Sequence, residues 1–264
     1  MSAERVLITG AAGVVGTILR NGLADEFEVS GLDLKRIPGF NSTVGNTAKM
    51  GRRAERAFRG QDVVIDLAGN PSTTTPWEVV RSNNLPASMN ALDAAARHGV
   101  RRVIYASSNH VTGNYELEGP YAQIVRGERG SLDPAAIPLI TTRHPLRPDG
   151  PYGIGKVLGE AAGRYYADQR GLSVICLRIG TCNRSGRPQN ERHFSTLLTH
   201  EDLLRLVRCA ISAPPEPMFG VFYGVSANTW RFWDISDARE AIGYEPMDDA
   251  ETWRAEWGAT VSEG

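Results

Sequence analysis

The chain has 264 residues, 41% of them hydrophobic, and its 29 basic and 30 acidic side chains leave a net charge of −1 and a pI near 6.5. That length suits one large core with a small appendage rather than two full domains, and the balanced charge excludes nucleic acid and anionic membrane surfaces as partners. No apolar run reaches the ~18 residues of a membrane span, and the start, MSAERVLITG, lacks a signal-peptide layout, so a cytoplasmic location is expected.

RVLIT (5–9) is the first strand-length apolar run, and TGAAGVVG follows it, opening a helix expected at about 14–24. Gly10, Gly13 and Gly16, with Val14 and Val15 between them, let the backbone turn tightly and approach a pyrophosphate at the helix N-terminus. EVSGLD (28–33) is the second strand, and its last residue, Asp33, lies 17 positions beyond Gly16. A carboxylate there accepts both hydroxyls of an adenosine ribose and repels a 2′-phosphate, which favours NAD; Lys35 and Arg36 keep NADP as the alternative.

Beyond it, helices are expected at about 48–59, 85–98, 152–170, 201–212 and 236–242, and strands at 62–68, 101–107, 172–179 and 221–225. The Val/Ile/Leu-rich strand runs are of the kind buried on both faces of a parallel sheet, so the expected fold is α/β, a Rossmann-type doubly wound sheet. Residues 1–180 are expected to form the dinucleotide-binding part, and 181–264 mostly a small C-terminal substrate-binding lobe intertwined with the sheet. The stretch 111–151, rich in Gly and Pro, reads as a long functional loop. Four of the five tryptophans lie beyond residue 229 and are expected to pack the C-terminal lobe, with Trp230 or Trp233 the candidate to face a sugar.

Only 3 of the 29 basic residues are lysines, yet GPYGIGK sets Lys156 four residues after Tyr152 where a helix should begin. Positions i and i+4 share a helix face, so phenol and ammonium emerge side by side. An ammonium beside a phenol favours the phenolate and suits Tyr152 to act as a general base. A compact ammonium also touches ribose hydroxyls in a way that a planar guanidinium does not. Cys176, Cys182 and Cys209 lack C-x-x-C spacing, and His193 and His200 lack an acidic partner cluster, so no disulfide and no metal site is expected.

Together these motifs resemble the extended short-chain dehydrogenase/reductase family over essentially the whole chain: Thr9 to Gly16, Asp33, Leu67-Ala68-Gly69, YASSNH, and Tyr152 with Lys156. The resemblance implies that Ser108 polarises the reacting oxygen beside Tyr152 and that Lys156 holds the nicotinamide ribose. By the same likeness, Leu67, Ala68, Gly69 and Ile179 lie along the cofactor, and Asn84 is counted with the cofactor-binding residues as the one that helps to fix the fourth strand near it. Asn46 stands where the family commonly has an acid facing the adenine.

Within that family, ASSNHVTGNYE, RPDGPYGIGKVLGE, LRIGTC, STLLTHEDL and YGVSANTWRFWD are most similar to uronate dehydrogenases. That likeness implies a sugar-acid substrate oxidised at C1 to an aldarolactone, with Asn109 and His110 on sugar hydroxyls and Arg192 clamping the carboxylate. Ser72 or Pro71 would contact substrate from the loop AGNPSTTTPWE, which is one residue longer than the uronate form. That loop and the long 116–144 segment also resemble aldose or glucose 6-phosphate dehydrogenases, where cations near Arg143 and Arg147 would meet phosphate. Two further alternatives are a sugar-nucleotide epimerase, which would share every cofactor residue but needs a larger lobe, and a non-catalytic NAD(P)-sensing regulator, a class that usually dispenses with the Tyr and Lys present here. A homo-oligomer paired through the helices at 85–98 and 152–170 is expected by the same analogy.

Overall fold

The computed structural model describes residues 3–215 and 218–257. Seven strands form one parallel sheet: β1 (Arg5–Thr9), β2 (Glu28–Asp33), β3 (Ser42–Val44), β4 (Val63–Asp66), β5 (Arg102–Ser108), β6 (Ser173–Ile179) and β7 (Phe219–Gly224). Their spatial order is β3-β2-β1-β4-β5-β6-β7. The chain builds outward from β1 to β3, then returns to lay β4 on the other side of β1. That reversal opens a crevice beyond the carboxyl ends of β1 and β4, where doubly wound sheets bind ligands.

The helices are α1 (Val14–Gly22), α2 (Arg52–Arg56), α3 (Trp77–Val79), α4 (Leu85–Arg97), α5 (Gly119–Arg126), α6 (Pro151–Arg170), α7 (His193–Thr196), α8 (His200–Ser212) and α9 (Ser236–Ile242). Successive strand residues point to opposite faces, and both faces are dry. Val6, Ile8, Ile104, Ile175 and Leu177 pack with Leu203, Val207 and Ile211 of α8. Leu7, Val64, Val103, Tyr105 and Val174 pack with Ala91, Ala94 and Ala95 of α4 and Tyr166 of α6. Double-sided burial is why these strands read as unbroken apolar runs. Beyond residue 180 the chain adds α8 and β7 to these layers, and Tyr223, Phe232 and Trp233 close a third core with Ile124 and Ile140.

α6 approaches the sheet closely because glycines face it. A β-carbon on Gly159 would lie 2.1 Å from the Tyr105 hydroxyl, and one on Gly163 would lie 2.8 Å from Val174. This spacing of four residues brings the helix that carries Tyr152 and Lys156 down onto β5 and β6.

Several expectations change. β3 was not foreseen: it is a three-residue edge strand, and none of its residues is buried, so it has no apolar run. The helix expected at 48–59 shrinks to α2, because a 3₁₀ turn over Thr47–Lys49 precedes it, capped by the Asn46 side chain accepting from Lys49 N at 3.2 Å. The strand expected at 62–68 covers only Val63–Asp66. α3 runs through a π-helical turn (Val80–Asn84) into α4. Leu85 N–H bonds Val80 O, and Pro86 next to it has no N–H to restore a tighter ladder. The stretch 111–151 is more ordered than a loop: it holds a 3₁₀ segment (Asn109–Leu117), then α5, whose Ala122 and Ile124 are buried. Among the described residues no helix is long and apolar enough to cross a membrane.

Candidate active site

A cleft of about 990 Å³ opens at the carboxyl ends of the central strands. Gly10, directly after β1, takes φ +68°, the left-handed region that glycine enters without penalty. A β-carbon on Gly16 would sit 2.5 Å from Gly10 O, so the loop closes on itself only with glycine there. α1 starts at Val14 with no side-chain cap, which leaves its first amides facing the cleft beside Gly13, Val14, Val15 and Gly16. Asp33 is held by backbone: Oδ2 accepts from Ala12 N at 2.9 Å and Oδ1 from Lys35 N at 3.0 Å. Leu67, Ala68, Gly69 and Ile179 line the cleft, and Asn46, Thr47 and Ala48 lie along it as well. A close-approach glycine loop, uncapped helix amides and a fixed carboxylate make a set that fits a dinucleotide's pyrophosphate and ribose.

Two expected contacts move out of the cleft. Asn84 does not line it, because its amide is spent on the chain: Oδ1 accepts from Asn70 N at 2.8 Å and Nδ2 donates to Asn70 O at 3.0 Å. Asn84 therefore braces the Gly69–Asn70 turn from behind. Ser72 is exposed and bonded to Thr74 Oγ1 at 2.8 Å, while its neighbours Pro71 and Thr73 line the cleft. Ser72 instead holds the loop's own turn, accepting from Thr74 N at 3.3 Å.

At the other end Ser108, Asn109, His110, Tyr152 and Lys156 line the same cleft. Lys156 Nζ donates to Ala106 O at 2.6 Å and lies 5.6 Å from the Tyr152 ring centre and 5.1 Å from that of Tyr105. Burial works to lower the Lys156 ammonium, but Tyr105, Tyr152 and Asp66 outweigh it and hold the group above its ordinary range. Ser108 Oγ donates to Asn109 Oδ1 at 3.3 Å and accepts from His110 N at 3.2 Å. Asn109 is 2% exposed, and its Nδ2 is buried without a partner, a donor in the cleft wall that no protein group satisfies. His110 meets Tyr152 edge to face at 6.0 Å, and its Nδ1 pairs with Asp149 Oδ2 at 2.5 Å. That contact fixes the orientation of the His110 ring in the cleft wall.

Arg192 lines the cleft, but its fork is closed on a residue that sequence reasoning did not single out. Nε and one terminal nitrogen donate to the two oxygens of Glu116 at 2.5 and 2.7 Å, and the other donates to Thr181 Oγ1 at 3.2 Å. Burial, helped by Arg192, pushes the neighbouring His193 imidazole down to about 4, so it stays neutral near neutral pH. Arg147 is bound to Glu118 at 2.6 and 2.8 Å and lies over Tyr115, and neither it nor Arg143 lines the cleft. Trp233 is fully buried and stacked on Tyr223, and Trp230 packs under Arg129, so neither reaches a sugar there. Cys182 lines the cleft, and burial pushes its thiol up to about 12.

Asp66, the last residue of β4, was also missed, although an acid inside the run VVID is itself a signal. It is 1% exposed, accepts from Thr9 Oγ1 at 2.6 Å, and its Oδ2 has no partner. Burial pushes its carboxyl up to about 6, against the pull of Thr9, Lys156 and the Ala68 amide. A raised carboxyl favours the protonated fold, so its stability contribution is complete below about pH 4 and is lost as pH rises through about 6. Thermal melts from pH 4 to 8 should therefore show a decline of up to about 3 kcal/mol that Asp66→Asn, with no proton to lose, removes. Identical pH slopes for parent and variant would remove Asp66 as the cause.

Residues 6–242 match the family described as NAD dependent epimerase/dehydratase. An L-arabinose 1-dehydrogenase (NAD(P)(+)) of Haloferax volcanii is 33% identical over 94% of this chain and 98% of that protein. An NAD-dependent glucose-6-phosphate dehydrogenase of the same organism is 32% identical, covering 94% of each chain. A mutant uronate dehydrogenase from Agrobacterium tumefaciens, solved in complex with NAD, is 30% identical and superposes with a TM-score of 0.78, covering 97% of this chain and 89% of that one.

Proposed function

The chain belongs to the NAD dependent epimerase/dehydratase family, and on that premise we propose that it is an NAD-dependent sugar dehydrogenase, oxidising the anomeric hydroxyl of a pyranose to a lactone. The observation that carries this is the convergence of Ser108, Tyr152 and Lys156 on one cleft whose other end presents the glycine loop and Asp33. When bound, the nicotinamide supplies the acceptor for the hydride that leaves C1. Tyr152 takes the proton of the C1 hydroxyl as the C1–O bond gains double-bond character. The Ser108 hydroxyl, turning from Asn109 Oδ1, donates to the same oxygen, and the unpartnered Asn109 Nδ2 is free to bond a neighbouring sugar hydroxyl. Lys156, anchored on Ala106 O, keeps a fixed positive charge beside the phenol and within reach of a ribose. Asp33, held by two backbone amides, suits the unphosphorylated ribose of NAD.

The relatives divide over the sugar. Likeness to uronate dehydrogenases and an arginine in the cleft support a sugar acid; the engagement of that arginine by Glu116 favours an uncharged aldose. Glucose 6-phosphate draws no support from Arg143 or Arg147, which stand away from the cleft. The test is NADH formation with galacturonate, glucuronate, L-arabinose, galactose and glucose 6-phosphate. Turnover of one of these sugars is expected. Turnover of UDP-sugars alone would instead mark an epimerase, and NAD binding with no turnover at all would mark a sensor.

A further inference from the structure

We propose that Glu116 is a specificity-determining residue: by making with Arg192 the two-pronged pairing that a substrate carboxylate would otherwise make, it selects an uncharged aldose over a uronate or a sugar phosphate. The inference rests on the C1-oxidation reading and deepens it. Glu116 is 11% exposed and stands behind Arg192, which is 25% exposed and lines the cleft. The two-pronged pairing uses the planar geometry that makes arginine a carboxylate receptor, so the receptor already holds its anion within the chain.

The charges around it point the same way. The lysines and arginines lining the cleft are Lys35 beside Asp33, Lys156 beside Tyr152, and Arg192. His110 is joined to Asp149, and His193 is neutral. The substrate end thus offers two closed acid–base pairs and no uncommitted positive charge apart from Lys156. A carboxylate or phosphate entering there meets a guanidinium whose charge Glu116 already balances, so it must displace Glu116 or bind without a counter-charge of its own, and either costs free energy that an uncharged sugar does not incur. Arginine has five N–H donors, and three are engaged by Glu116 and Thr181. The remaining two, one on each terminal nitrogen, are suited to sugar hydroxyls.

The experiment compares parent, Glu116→Ala and Glu116→Gln for NAD-dependent turnover of L-arabinose, galactose, galacturonate and glucose 6-phosphate, with thermal melts for each protein. The parent is expected to favour an uncharged sugar. Glu116→Ala should raise kcat/KM for galacturonate by about tenfold or more, mainly through KM, as a freed charge-assisted bond does. Glu116→Gln, which removes the charge but keeps the shape, should move the ratio the same way by less. A parent that prefers galacturonate to both uncharged sugars overturns the proposal. So does a uniform fall for every sugar in both variants, which is how a purely structural glutamate behaves. Absence of NADH from every sugar despite NAD binding overturns the C1-oxidation reading itself, and the selection with it, and so is distinguishable from failure of the selection alone.

Discussion

Tyr152→Phe is expected to lower kcat about 100- to 10,000-fold, the range associated with a general base, while NAD still binds. The separation follows from what holds Lys156 in place. Its ammonium donates to Ala106 O and lies over the buried Tyr105 ring, and neither contact involves the Tyr152 hydroxyl. Phenylalanine keeps the ring that His110 meets edge to face, so the cleft wall stays intact. Only the proton acceptor disappears. NAD titration by fluorescence alongside steady-state turnover reads both quantities from one preparation. A phenylalanine variant within about tenfold of parental kcat would transfer the base to another group, with His110, oriented by Asp149, the first to examine.

How far the sequence discloses this site depends on the range over which each feature is encoded. β1 and β2 begin and end where the apolar runs do, because strands buried on both faces leave continuous Val/Ile/Leu text. Tyr152 and Lys156 are legible for a similar reason: four residues along one helix are local, and α6 begins one residue ahead of the tyrosine. The 3₁₀ segment and α5 after Ser108 are obscured because their glycines and prolines cap short elements rather than break long ones. Glu116 and Arg192 lie 76 residues apart, and no periodicity links the first of the two acids in NYELEGP to an arginine before a four-residue helix. Ser72 and Asn84 fail for a third reason. A polar side chain in the right segment is equally able to face the cleft or to satisfy the backbone of the loop that shapes it, and here both serve the loop.

Replacing Arg178 by Met should cost the fold about 3–5 kcal/mol, a penalty set by the carboxylate left behind rather than by the removal of the guanidinium's own hydrogen bonds. Arg178 on β6 and Glu160 on α6 are 3% and 8% exposed, and they meet through two bonds of 2.9 Å. Burial weakens the guanidinium charge, but Glu160 more than restores it, so the arginine keeps its proton. Ser107 donates to Glu160 Oε1 at 2.6 Å, Arg178 donates to the Tyr223 hydroxyl at 3.2 Å, and that hydroxyl meets Thr112 Oγ1 at 2.9 Å. The pair thus fastens α6, β5, β6 and β7 at a point one residue before Ser108. In Arg178→Met a buried carboxylate is without its counter-charge and keeps only the serine. Adding Glu160→Gln removes the charge, so the double variant should recover much of the stability, and the cycle should show coupling between the sites of about 1–3 kcal/mol. Urea unfolding of the four proteins measures it. A single-variant penalty below about 1 kcal/mol, or strict additivity, would mean that water reaches Glu160 and that the helix bearing Tyr152 is held to the sheet by packing alone.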